Sequence, residues 1–399
     1  MFQRLKTMFT RKSGWSLASP GDELLALFGA APTAAGIAVT TETALRVPAV
    51  ACAVRQIAES VASLPVIVKR VLPGGEAEPI PDHPISVLLN ADWNGWTSAY
   101  EGKLAIGIDA LCHDAGGIAW VNRIEGTPRE IIPYRAGTIS VTYADTGEPS
   151  YTLSSTSGQR PIDPADVIHI RALGTRSRCP LSFAREAIGI AITQERYAAN
   201  LFAKGGRPSG TISVAGKLSK DASERIRASW QAAHAGEESG KTAVLEEGAK
   251  FEPSSFSSVD MQFLELQKFG IEQVARSFKV PPHMLYELGR ATWSNTEQMG
   301  LEFLSYTIQP WLEVWQGALR RALFSPDERA KYRIEFDTDD LTRADIGSRA
   351  TAYSSLIASR VLNPNEARRW EGLPPYEGGN EFINPAITPG APADTGAQP

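Results

Sequence analysis

Cysteine is scarce in this 399-residue chain: Cys52, Cys112 and Cys179 stand far apart with no CxxC pair. That pattern supports neither a disulfide framework nor a zinc site. Histidine is scarce too. His83, His113, His169, His234 and His283 are scattered, with no HxH, HExxH or paired spacing, so no metal or cofactor site is expected. No uninterrupted apolar run approaches the ~20 residues of a membrane-crossing helix. The start, Met1 to Lys12, is basic and mildly amphipathic, but Arg11 and Lys12 interrupt any signal-peptide core; the chain reads as cytosolic. An excess of positive charge is also missing. The net charge is −5, whereas a protein that clamps DNA by counterion release is usually basic. A glycine-rich stretch, Gly205 to Gly210, lacks the Lys-Ser/Thr of a phosphate-binding loop and follows a helix, so ATP hydrolysis is not encoded.

What is present suits a folded protein. Hydrophobic content of 43% and charged content of 21% are ordinary, and the length allows two or three cores or one elaborate one. Ser13 to Thr43, rich in Ala, Gly, Pro and Thr, reads as part of a loosely held arm (1–43) with at most a short helix near Glu23 to Phe28. Order begins at Val47 to Leu64, where Val50, Val54, Ile57, Ala58, Val61 and Leu64 make one buried helical face. Short alternating segments follow at Gly117 to Ile124, Glu130 to Tyr134, Thr138 to Tyr143, Ser150 to Leu153 and Val167 to Arg171. With no helical crossover between them, they predict an antiparallel α+β region. Ser182 to Lys204 reads as a long helix with a partly basic stripe.

The stretch from Ser257 to Leu323 organises the rest. One helix opens at Ser257-Ser258-Val259-Asp260 and runs to Val280, where Pro281-Pro282 stops it. A second opens at Ser294-Asn295-Thr296-Glu297. Leu301, Leu304, Ile308, Trp311, Leu312, Trp315, Leu319, Ala322 and Leu323 form its apolar face. Pro310 in its middle predicts a kink. Lys331 to Phe336 alternates like a returning strand, and helices are expected at Thr342 to Ser359 and Asn363 to Trp370.

Three segments carry a resemblance: Lys279-Val280-Pro281-Pro282-His283-Met284-Leu285, Ala291-Thr292-Trp293-Ser294-Asn295-Thr296-Glu297-Gln298, and Tyr306-Thr307-Ile308-Gln309-Pro310-Trp311-Leu312. Together they resemble the HK97-type phage portal family, and the compact chain is also similar to portals of gene transfer agents. The resemblance implies a ring-forming α+β portal fold and not an enzyme. It divides the chain into an α+β wing (44–181), stem helices (182–204 and 257–280), a small α/β clip (205–256) and a tunnel loop (281–296). A kinked long helix with a return strand (297–338), a short helical crown (339–384) and a disordered tail (385–399) complete it. It further implies a dodecamer at a unique capsid vertex of a virion or gene-transfer particle, assembled in the bacterial cytoplasm. Double-stranded DNA would pass through its channel during packaging and ejection. The partners implied are the terminase large subunit as motor, a head–tail adaptor and the major capsid protein, with no membrane.

Within that frame, Arg290 with Tyr286 and Trp293 offers one cation and two aromatic faces that can touch phosphates without reading sequence. The competing reading buries Tyr286 and Trp293 against a neighbouring subunit and pairs Arg290 with Glu287. Lys268, Arg276 and Lys279, interleaved with Glu265 and Glu272, lie on one side of their helix; they are a channel wall or simply a solvated face. Glu237, Glu238, Glu246 and Glu247 make an acidic clip tip, either a dock for a basic partner or solvated turn residues. The rival from another class is a hydrolase-type enzyme using Cys112-His113-Asp114, although neighbours on a helix do not face each other.

Overall fold

The computed structural model describes residues 32–156, 158–172, 178–203, 210–214, 216, 219–234, 249–253, 258–287, 296–338 and 346–382. Its centre is set by apolar periodicity. After a short helix α1 (Thr41–Ala44), helix α2 (Pro48–Ser63) buries Val50, Ala53, Val54, Ile57, Ala58 and Val61 along one side. Each such valine or isoleucine contributes roughly 1.5–3 kcal/mol on burial, and each alanine less. Pro48 occupies the first turn, where no amide partner is needed, and Pro65 follows the end.

Strands β1 (Val66–Val71) and β2 (Ala77–Pro79), helix α3 (Pro84–Asn90), strands β3 (Asp92–Asn94) and β4 (Thr97–Ser98) and helix α4 (Ala99–Cys112) come next. Helix α4 starts at a reciprocal capping box between Ser98 and Glu101. Strands β5 (Gly117–Ile124), β6 (Thr127–Tyr134), β7 (Ile139–Tyr143), β8 (Pro149–Ser155), β9 (Gly158–Ile162) and β10 (Val167–Ile170) then form two antiparallel three-stranded sheets, ordered β10-β5-β6 and β7-β8-β9. A small second core of Ile118, Ile139, Tyr151, Leu153, Ile162 and Val167 lies between them. The antiparallel region is thus as the spacing predicts, with β9 added.

Helix α5 (Pro180–Ala203), the strand pair β11 (Gly210–Ser213) and β12 (Lys250–Pro253), helix α6 (Lys220–His234) between them in sequence, and helix α7 (Ser258–Phe278) follow. Thr242 to Leu245, strand-like in sequence, and the expected caps at Ser257 and Ser294 lie outside the described residues. Strand β13 (Tyr332–Phe336) pairs with β1 over Val66↔Phe336 to Arg70↔Tyr332, which is the predicted return. The main core joins α2, α4, α5, α7 and this sheet.

Residues 32–43 differ from the loosely held arm of the sequence reading. Thr33 and Val39 are buried, Ala34 N–H donates to Glu186 Oε2 at 3.0 Å, and Thr41 Oγ1 donates to the Cys112 carbonyl. The composition looks loose, but its small side chains are what allow close approach. A Cβ on Gly189 would meet Thr33 Oγ1 at 2.5 Å. Expectations for the earlier residues, including the helix near Glu23 to Phe28, lie outside the described residues, as does the tail from Pro385.

The long helix has three parts: α8 (Thr296–Phe303), a π turn (Leu304–Ile308) and α9 (Gln309–Leu323). In the π turn the Gln309 N–H reaches the Leu304 carbonyl, five residues back. Pro310 follows immediately, so the wider turn precedes the residue that has no amide to give. The turn also shifts the register. Phe303 and Thr307 are buried and Leu301 is exposed, although the α-helical spacing puts Leu301 on the apolar face. Of the rest of that face, Leu304, Ile308, Leu312, Trp315, Leu319, Ala322 and Leu323 are buried as expected, and Trp311 is only half-buried.

The carboxyl end of α9 is held by two arginines. Arg329 Nε donates to the Phe324 carbonyl at 3.1 Å and Nη2 to the Arg321 carbonyl at 2.8 Å; Arg123 donates to the Ala322 carbonyl while pairing with Asp166 at 2.7 Å. Cations at orphan carbonyls are favoured there. Helices α10 (Ile346–Ala358) and α11 (Pro364–Trp370) form a small terminal unit. Buried Asn365 bonds the Tyr376 amide and carbonyl and Asn380, and Glu371 accepts from Arg349 and Tyr353.

Candidate nucleic-acid interface

Pro281 restricts the residue before it to extended backbone, so helix α7 reverses before the prolines. It ends at Phe278, two residues short of the expected Val280. Lys279 takes a left-handed conformation (φ 57°). Its N–H donates to Arg276 and the Val280 N–H to Ala275, the paired bonds of a Schellman ending. A 3₁₀ turn (Pro282–Leu285) follows and ends the same way: Tyr286 has φ 63°, and the Tyr286 and Glu287 amides reach the His283 and Pro282 carbonyls. Glycine ordinarily fills such positions. Here a lysine and a tyrosine fill them, at roughly 1–2 kcal/mol each in backbone sterics, and both side chains point to solvent. Tyr286 is 83% exposed. Thr307, brought inward by the π turn, donates its hydroxyl to the Lys279 carbonyl and ties the two helices together.

The cations of this face are unequal. Arg276 Nη2 lies 2.9 Å from Glu272 Oε2, and its guanidinium sits 5.6 Å from the Phe269 ring. Lys268 Nζ is 4.0 Å from Glu287 Oε1. Exposed pairs of this kind are worth only about 0–1 kcal/mol, so they remain exchangeable. Among the described residues of the face, Lys279 has no carboxylate within 4.0 Å. Arg290 and Trp293, and the clip residues Glu237, Glu238, Glu246 and Glu247, lie outside the described residues.

The rival cluster has different chemistry. Cys112 is buried at the end of α4, and burial pushes its thiol up to about 12; burial likewise pushes Cys179 up to about 11. A nucleophilic cysteine needs the thiolate, which such surroundings disfavour. Burial acts to raise the Asp114 carboxyl, but hydrogen bonds from the Cys179 amide and Ser182 outweigh it and hold the group below the usual carboxylate range. Asp114 Oδ1 accepts the Cys179 N–H at 2.8 Å, directly before α5. His113 lies 3.9 Å from Asp109. Asp114 therefore anchors a helix start, and the geometry of a triad does not form. Among the described residues no group of three His, Cys, Asp or Glu is placed to hold a metal, and no helix is long and apolar enough to cross a membrane.

This fold is the portal fold. A chain in the neck of an empty gene transfer agent particle is similar over 89% of this chain and 99% of its own, with a TM-score of 0.62 and 23% identity. A chain from the neck of the native particle, reconstructed with twelvefold symmetry, gives a TM-score of 0.61 at 22% identity, covering 84% and 94%. The crystal structure of an HK97-family phage portal protein from Corynebacterium diphtheriae gives 0.50 at 20% identity, covering 76% and 96%. The chain belongs to the phage portal protein family, whose model matches residues 48–372. It is similar to the probable portal protein of Streptomyces phage phiC31, at 28% identity over 381 residues, 88% of this chain and 79% of that one. The portal protein of Enterobacteria phage HK97 is 25% identical over 311 residues, 76% and 73% of the two chains. Both relatives are described as portal proteins, and the hydrolase reading is not favoured.

Proposed function

We propose that twelve copies of this chain close into a ring at one capsid vertex and form the channel through which double-stranded DNA is packaged and ejected. In this reading residues 44–181 are the wing, α5 and α7 the stem, 205–256 the clip, 281–296 the tunnel loop and 339–384 the crown. Family membership supports it, as does the likeness to a neck chain reconstructed with twelvefold symmetry. The observation that carries the channel assignment is the double left-handed turn, which holds Lys279 and Tyr286 outward on either side of Pro281-Pro282. Two left-handed non-glycine residues flanking one proline pair, both exposed, support a working role for this turn.

Lys279, Tyr286 and the loop residues Arg290 and Trp293 then face the duplex, with Lys268 and Arg276 behind them on the stem. Repetition does the rest. Twelve copies at −5 each carry −60, which suits a conduit that does not hold a polyanion statically, while a collar of weak cationic contacts touches the duplex without reading sequence. No phosphate-binding loop is encoded, so the terminase large subunit supplies the work. It docks at the clip, where Glu237, Glu238, Glu246 and Glu247 offer an acidic surface; the head–tail adaptor later takes the same end. The major capsid protein meets the wing, and assembly takes place in the bacterial cytoplasm. The test is single-particle imaging of the purified chain combined with deletion of Tyr286 to Trp293. Rings with a duplex-wide pore are expected, and the deletion should leave rings that package poorly. Solitary chains under all assembly conditions would overturn the ring, and normally filled particles from the deletion would overturn the loop assignment.

A further inference from the structure

Strands β7, β8 and β9 form a sheet of their own, and among the described residues no strand pairing joins it to the sheet β10-β5-β6. The small core of Ile118, Ile139, Tyr151, Leu153, Ile162 and Val167 seats one sheet on the other. Units held by so little apolar surface open locally at far lower cost than the whole fold. Two polar links cross the same seam. The Tyr151 hydroxyl on β8 lies 3.0 Å from His169 Nδ1 on β10, and Arg171, just past β10, donates to the Tyr143 hydroxyl on β7 at 2.8 Å.

The geometry fixes which nitrogen of His169 carries hydrogen. His169 Nε2 lies 2.8 Å from the Ala115 carbonyl. A carbonyl only accepts, so Nε2 donates and Nδ1 is left to accept the Tyr151 O–H. Gly116, at φ 77°, lets the loop come that close, since a Cβ there would collide with the Ile170 carbonyl. A proton added at Nδ1 reverses the Tyr151 bond. The ring then donates on both sides, and the hydroxyl hydrogen of Tyr151, a side chain only 5% exposed, loses its acceptor.

The surrounding groups do not compensate. Arg171 and, on α9, Arg321 are cations that act on the ring. Tyr143 is engaged by Arg171, and Arg160 on β9 lies over the Trp120 ring at 5.5 Å. In the loop before β5, His113 faces Asp109 and Asp114 accepts the Cys179 amide, while on β5 the residue opposite His169 is the uncharged Ile118. Burial lowers the proton affinity of the ring most, the Ala115 carbonyl raises it, and the two guanidiniums lower it further, so the pKa lies below the ordinary 6.5. If the sheet lifts away, His169 meets water and regains that ordinary value. The seating is therefore fully present above about pH 6.5 and is lost as the pH falls below it.

We propose that Tyr151 and His169 form a latch released by protons: with the imidazole neutral the β7-β8-β9 sheet is seated on β10, and a proton at Nδ1 frees that sheet to lift as a unit while the main core stays folded. Every group involved belongs to one chain, so the latch acts in a single copy and in a ring alike. The test is amide hydrogen exchange of the full-length chain from pH 7.5 to 5, with each rate divided by the intrinsic rate at that pH. Opening at β7 and β8 should rise at least about fivefold over this range, while opening at α2 stays level. His169→Gln keeps a donor and an acceptor but does not titrate, and it should abolish the rise. A level response in the unaltered chain, or a rise that persists in His169→Gln, would overturn the latch. Because that substitution can disturb the seam, the slow exchange of the His169 ring C2 hydrogen, followed by mass spectrometry in the unaltered chain, gives a second reading. Its titration midpoint should lie below 6.5, and a midpoint at or above 6.5 would also overturn the proposal.

Discussion

Replacing Thr307 by valine separates two forces that usually act together. The side chain is 3% exposed and its hydroxyl donates to the Lys279 carbonyl. Valine has nearly the same shape, so no cavity forms, and its extra methyl gains up to about 0.8 kcal/mol of apolar burial. Against this, the partly buried Lys279 carbonyl loses its donor, a loss of about 1–3 kcal/mol. The net expectation is destabilisation by about 1–2 kcal/mol. Serine keeps the donor and removes only a methyl, for about 1 kcal/mol or less. If the hydrogen bond governs the junction, the order of stability is Thr, then Ser, then Val. If apolar filling governs it, Val equals or exceeds Thr and Ser comes last. Urea midpoints at unchanged slope give the order directly, and amide exchange at Val280 reports whether the adjoining turn loosens. Valine as stable as threonine would refute the claim that this bond couples the π turn to the end of α7.

Three further outcomes follow from the same geometry. Lys279→Gly should raise stability by up to about 1 kcal/mol, since it relieves about 1–2 kcal/mol of left-handed strain and costs about 0.5–1 kcal/mol in chain entropy; a thermal melt no higher than that of Lys279→Ala would contradict it. Cys112 and Cys179 should resist alkylation at pH 8 in the folded chain and react once it is unfolded, so rapid labelling of Cys112 would revive the enzyme reading. Buried Lys103 donates to the Leu64 carbonyl at 2.8 Å, and burial lowers its ammonium from 10.5 to about 8. Between those pH values the unfolded chain holds a proton that the folded chain lacks, so stability rises with pH by about 3 kcal/mol; Lys103→Met should flatten that rise in urea titrations at pH 7.5 and 10.5.

Much of the scaffold is legible in apolar spacing, because α2 and α9 pack by a repeat written in consecutive residues. The departures share a cause: they depend on partners far away in sequence. Residues 32–43 look like linker, yet Ala34 finds Glu186, 152 positions on. Strand β9, Gly-Gln-Arg-Pro-Ile, has mostly exposed residues and no alternation, and it exists because β8 offers an edge. The exchange of Leu301 for Phe303 follows from the π turn; Pro310 announces a kink there but not the shift of register that comes with it. The site was partly visible. Lys279 and Tyr286 stand out beside two prolines, but nothing in a lysine or a tyrosine signals a left-handed backbone, and the only hint is Pro281 blocking the helix.

Strand β1 has a consequence for how the protein is made. One of its edges is taken by β2 within a few residues, while the other waits for Tyr332–Phe336. At translation speeds of about 5–20 residues per second, that partner leaves the ribosome roughly 13–50 s later. Throughout that interval the nascent polypeptide carries an open β edge of the sequence Val-Ile-Val-Lys-Arg-Val, a template for sticking to other newly made chains. Lysine and arginine at its centre act as gatekeepers during the wait, and the same residues become the ladder partners of Arg333 and Tyr332 once synthesis has passed the far strand.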